Sequence, residues 1–188
     1  MNKLVKKIST YLIRFYLIRQ GLFIILPFVL YYGVLFYDQK NFLHTILGKI
    51  LLYFWLLIGI FYFILYQTEQ IIDFLENKST KFKFLLEIIL IIIFLSLTFT
   101  SFYYVLYQFD LNSFNNVSGN NFLTKYTDFL YFSNGILLMN NQSQIIAQST
   151  YAKLFTSTEM FTAFIMLIFI LGNMKSLKNL FNDHKKVS

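Results

Sequence analysis

The sequence predicts an all-α integral membrane protein with four transmembrane helices and a short re-entrant helix between the third and fourth. Three observations carry this. The chain is 57% hydrophobic and only 13% charged, against about 25% charged residues in an average soluble domain. Its apolar residues gather into four long runs. Its cations fall mostly on one side of those runs.

A hydrocarbon core of about 30 Å needs roughly 20 mostly apolar residues as a helix. The first such run extends from about Gly21 to Tyr37 and holds Pro27, the only proline in the chain. A proline there removes a backbone hydrogen bond and favours a kink. Aromatic and charged residues follow this run, with no small-residue cleavage site, so it reads as a retained span. Before it, Lys6, Lys7, Arg14 and Arg19 alternate with Ile, Leu, Phe and Tyr. That pattern reads as an amphipathic helix lying at the inner headgroups.

The second span runs from about Ile50 to Gln67. The third runs from about Ile88 to Phe109, between Glu87 and Asp110. The fourth runs from about Leu154 to Met174, with Glu159 as its only acid. Soluble core helices this long and apolar on every face are rare. Tyr103, Tyr104 and Tyr107, near the end of the third span, read as an interfacial aromatic belt.

Four spans place the N-terminus, the loop after the second span and the C-terminus on one side. That side holds Lys3, Lys6, Lys7, Arg14, Arg19, Lys78, Lys81, Lys83, Lys175, Lys178, Lys185 and Lys186. The other holds Lys40, Lys49, Lys125 and Lys153. The positive-inside rule then puts both termini in the cytoplasm. Three or five spans would break this agreement. A bacterial inner membrane is the expected location, with an organellar membrane as the alternative.

Between the third and fourth spans, Leu111 to Asn121 is rich in Asn, Ser and Gly and reads as an outward-facing loop. Asp128 to Leu138, DFLYFSNGILL, is apolar and too short to span. Runs of this length suggest re-entrant or interfacial helices. Thr127 is the expected N-cap, and Asp128 suits the positive end of the helix dipole. Next comes the polar turn Met139 to Gln144, and the chain then re-enters an apolar span. A polar turn at membrane depth is tolerated only where it is buried in protein or lines water.

Composition narrows the chemistry. With no cysteine, disulfides, zinc ribbons and thiol nucleophiles are excluded. The two histidines, His44 and His184, lie far apart. No paired-carboxylate, Ser-His-Asp, metal-ligand or phosphate-loop pattern is present, so no enzyme activity, cofactor or metal is expected. Glu69, Asp73 and Glu76 share helical spacing and read as a solvated cytoplasmic face rather than a metal site. The net charge of +7 reads as topology, not nucleic-acid binding, and the basic tail from Lys175 to Lys186 as an anchor. Asn-x-Ser sequons at Asn77, Asn116 and Asn141 are unremarkable in an Asn-rich chain.

The order span, loop, short helix, polar turn, span resembles the pore domain of the potassium-channel superfamily, in particular its prokaryotic two-helix form. The resemblance covers roughly residues 85–175. Asp128-Phe129-Leu130-Tyr131-Phe132-Ser133 matches the family's D-x-L-Y-F-S pore-helix element, and Glu159 falls at the spacing of an inner-helix acid without a gap. The resemblance implies two units. Residues 1–83 hold the amphipathic segment and two peripheral spans without an arginine ladder; residues 84–188 hold the pore domain and a short basic tail. It also implies a homotetramer in the lipid bilayer and passive passage of monovalent cations. A short helix would aim its negative end at a central cavity, and the following turn would offer carbonyls to an ion.

The filter departs from the family. Its T-V-G-Y-G falls on Met139, Asn140, Asn141, Gln142 and Ser143, and the acid after it on Gln144. Asn is the best non-glycine substitute where positive φ is needed, but strain remains. Met139 brings a thioether where the family has a hydroxyl. A potassium-selective filter of the usual geometry is not expected. These residues form either a ring of amides and hydroxyls lining a pore or an ordinary outer loop. The family's mid-helix glycine falls near Ala163, and Gly172 sits lower. Glu159 is either a tie behind the pore helix or an ion-handling acid, with Asn134, Ser133 and Thr158 as candidate partners. The two functional classes are therefore a low-selectivity channel and a non-conducting accessory or assembly subunit. A polar stripe on the fourth span would favour the first, and Thr156, Ser157, Thr162 and Ala163 give part of one.

Overall fold

The computed structural model describes residues 21–33, 42–75, 81–140 and 143–182. Five helices appear among them: α1 (Gly21–Gly33), α2 (Phe42–Leu75), α3 (Lys81–Phe109), α4 (Phe122–Leu137) and α5 (Thr150–Asn182). Three of these helices are long and apolar enough to cross a membrane, over Ile46–Leu65, Ile88–Phe109 and Thr150–Gly172. The expected second, third and fourth spans fall on these three. Of the expected first span, only α1 is described, and it is shorter than the about 20 residues a crossing needs. The amphipathic segment with Lys6, Lys7, Arg14 and Arg19 lies outside the described residues, as do His184 and the last basic residues.

The middle of the structure is α3. In its apolar window 56% of residues are buried, against 22% in α2 and 29% in α5. Its neighbours are α2, α4 and α5. In lipid, helices are held by packing and hydrogen bonds rather than by expulsion of water. The α3 sequence supplies both. Phe99, Phe102, Val105 and Leu106 are fully buried, and Ser96, Thr100, Ser101 and Tyr103 bring polar groups into the same interior.

The segment between α3 and α5 is more ordered than the expected loop. A single 3-10 turn, Leu111–Ser113, follows α3, with Asp110 as its cap. A two-residue strand β1 (Phe114–Asn115) pairs antiparallel with β2 (Ile146–Ala147), matching Phe114 to Ala147 and Asn115 to Ile146. Ser113 O also accepts from Gln148 N at 2.8 Å. The chain just before α4 is thus hydrogen-bonded to the chain just after it. The excursion through α4 is closed at its base, beside the end of α3 and the start of α5.

The same end is cross-linked to α2. Lys49 Nζ donates to Asp110 Oδ2 at 2.8 Å and sits 5.9 Å from the centre of the Tyr151 ring. That hydrogen bond to Lys49 holds the Asp110 carboxyl below the usual carboxylate range.

Candidate functional site

The short helix begins earlier than expected. It starts at Phe122, not Asp128, because Asn121 and Thr124 form a capping box. Asn121 Oδ1 accepts from Thr124 N at 2.9 Å, and Thr124 Oγ1 accepts from Asn121 N at 3.2 Å. Thr127, the expected cap, lies inside the helix and donates to Leu123 O at 2.8 Å. Asp128 sits nearly two turns in and grips the preceding loop instead of capping. Its Oδ2 accepts from Ser118 N (3.1 Å), Ser118 Oγ (2.9 Å) and Gly119 N (3.0 Å).

The inward face of α4 is Phe129, Phe132, Ser133, Ile136 and Leu137. This i, i+3, i+4, i+7, i+8 spacing is one stripe of an amphipathic helix. The stripe meets an aromatic cluster. Phe114 lies 5.1 Å from Phe129, 6.0 Å from Phe132 and 5.5 Å from Tyr103 between ring centres. Tyr131, on the other side of the helix, is exposed.

Within this packing sits one buried carboxylate. Glu159 is fully buried. Its Oε2 accepts from the Tyr103 hydroxyl at 2.5 Å, and its Oε1 accepts from Ser133 Oγ at 2.5 Å. The pairing joins three elements: Tyr103 from α3, Ser133 from α4 and Glu159 from α5. A neighbouring bond runs from Ser96 Oγ to Asn134 Oδ1 at 2.8 Å. Ser101 Oγ and Tyr126 OH lie 3.0 Å apart.

Of the three expected partners, Ser133 alone of the three bonds Glu159. Asn134 is held by Ser96. Thr158 donates to Leu154 O at 2.7 Å and lies 3.2 Å from Tyr53 OH on α2. Tyr103, expected in an interfacial aromatic belt, instead packs wholly inside the chain, with 0% exposure. Tyr104 and Tyr107 are half-buried: Tyr104 packs on Phe122, 5.1 Å away, and Tyr107 lies under Lys125 Nζ at 5.4 Å. The missed residue was legible. Ser96, Thr100 and Tyr103 recur at i, i+4, i+7, one face of a helix.

At its other end α4 closes with a Schellman turn. Met139 N donates to Ile136 O at 3.0 Å, and Asn140 N donates to Gly135 O at 2.8 Å. Met139 takes the left-handed position, with φ 53°, which L-residues other than Gly and Asn rarely adopt. The first residue of the polar turn is therefore part of a helix stop. Asn141 and Gln142 lie outside the described residues. Ser143 Oγ accepts from Ile145 N at 3.1 Å, and Gln144 O accepts from Asn116 Nδ2 at 3.0 Å.

Beside this turn, Gly135, Ile136, Met139, Thr156, Met160 and Phe164 line a recess of about 390 Å³. The open face of α5 carries Met160, Phe161, Phe164, Leu167, Ile168 and Leu171. Thr162 and Ala163, the small residues expected on an open stripe, are buried inside the chain. Thr156 and Thr162 donate to Ala152 O and Thr158 O, at 2.9 and 2.8 Å. Comparison with protein families, with curated proteins and with solved structures gives no match.

Proposed function

We propose that this chain is a channel-like membrane protein of pore-domain architecture. Four spans keep both termini in the cytoplasm, α4 enters from the outer face and returns to it, and four copies surround a shared axis. Monovalent cations pass passively, with low or altered selectivity, through a ring near Met139 to Gln144.

The supporting observation is the closed base of the α4 excursion. The β1 and β2 strands tie together the chain on either side of α4. The helix has 16 residues and measures about 24 Å at about 1.5 Å per residue, short of the about 30 Å hydrocarbon core. Its C-terminal end, the negative end of the helix dipole, stands beside the recess and the polar turn. Lys49 and Asp110 meet at one end of the bundle, as expected if the second and third spans run antiparallel.

One observation favours the second reading, a non-conducting accessory or assembly subunit. The open face of α5 is bulky and apolar, and the threonines beside it donate to their own backbone. Such a face fits another apolar helix better than a column of water.

Cation flux from potassium-loaded liposomes, with sodium and potassium gradients compared, separates the two. The channel reading predicts flux of both ions that falls at least tenfold in Asn141→Trp or Gln142→Trp. A folded tetramer that passes neither ion would contradict it and leave the accessory reading.

A further inference from the structure

We infer that Glu159 is a positioning residue that fixes the seat of α4 by accepting two hydroxyl hydrogen bonds, and not through its negative charge. This rests on the proposed role of the α4 end. It names the contact that holds that end in place.

The geometry points to hydrogen bonding because both carboxylate oxygens are engaged. Tyr103 holds Oε2 and Ser133 holds Oε1. The residue is fully buried and is not among the residues that line the recess. An acid that attracts passing cations would need a face open to them. A bridge between α3 and α4 needs only a neutral hydrogen-bonding group at each of two positions.

A glutamine can meet that need. Its carbonyl oxygen accepts from Tyr103. Its amide donates to Ser133 Oγ, which can turn its own proton to Ser96 O, 3.3 Å away. Leucine offers no partner: the Tyr103 hydroxyl loses its acceptor and Ser133 Oγ keeps only the longer contact to Ser96 O, which is the more damaging change.

The chain has no cysteine, so a single introduced thiol reports cleanly. Leu137, at the end of α4, is buried; Leu137→Cys reacts with a maleimide only when that end lifts. Ala152→Cys, buried at the start of α5, reports general loosening. The purified full-length chain in detergent is labelled in both backgrounds.

Glu159→Gln should leave the Leu137→Cys rate within about twofold. Glu159→Leu and Tyr103→Phe should raise it by about fivefold or more, the scale of one lost hydrogen bond, with Ala152→Cys unchanged. If Glu159→Leu does not fold, Tyr103→Phe and Ser133→Ala carry the same test. A Gln variant as fast as Leu, equal acceleration at Ala152→Cys, or no acceleration in any variant would each overturn the proposal. The readout does not depend on conduction. Absent flux with the predicted labelling pattern would sink the channel reading while supporting this role of Glu159.

Discussion

Met139 stops a helix in a conformation that suits glycine. A non-glycine residue in the left-handed region costs roughly 1–2 kcal/mol, and the Schellman hydrogen bonds to Ile136 and Gly135 offset part of it. Met139→Gly should therefore raise the stability of the detergent-solubilised protein by about 1 kcal/mol, read as an upward shift of the melting midpoint. Gly119 is the opposite case. A Cβ there would meet Lys125 N at 2.4 Å and Thr124 C at 2.7 Å, backbone atoms that cannot swing aside. Gly119→Ala should destabilise by about 1–3 kcal/mol, the range for overpacking. Neither position was legible in the sequence. A left-handed methionine has no compositional mark, and the role of Gly119 depends on a helix that starts three residues after it. Glu159 was legible, because an acid inside an apolar run stands out. Its partner Tyr103 stands among other tyrosines that read as a belt, and only its i, i+4, i+7 spacing from Ser96 and Thr100 sets it apart.

Among the elements, the α4 N-terminus rests on Asn121. Removing a capping side chain costs about 1 kcal/mol, so Asn121→Ala should lower the melting midpoint and fray the first turn in amide exchange. The long helices were read closely, because hydropathy over about 20 residues averages out local detail. The start of α4 was misplaced because its first turn, Phe122 to Lys125, adjoins a run of Asn, Ser and Gly. The cap pairs Asn with Thr, where the usual signature ends in Glu or Gln. The β1–β2 pair is too short for any alternation to show. At the joint of α2 with α3, Lys49 lowers the Asp110 titration. Asp110 is ionised in the unfolded chain above about pH 4, so the pair stabilises the fold there. That contribution is lost as pH falls through the lower folded value. The stability difference between the protein and Lys49→Met should be present at pH 7, under about 1 kcal/mol for a solvent-reached pair, and should vanish in strong acid.

For the whole molecule, the proposed reading depends on where α4 goes. The bundle places α3 at the centre, with α2, α4 and α5 around it. Both ends of the α4 excursion meet in the β1–β2 pair. Composition and the long apolar helices are those of a membrane protein. The span count rests on four apolar runs and the sidedness on sixteen cations, a signal that reads loops rather than helices. The proposed conduction would depend on how copies meet around the polar turn, which the residue pattern of one chain does not record. The most direct measurement uses single cysteines in this cysteine-free chain, labelled in intact cells by a membrane-impermeant maleimide. The account predicts that Asn120→Cys and Gln148→Cys both react from outside, and that Asn77→Cys reacts only after permeabilisation. Asn120→Cys and Gln148→Cys on opposite sides of the membrane would mean that α4 crosses it, and would contradict the pore-domain reading.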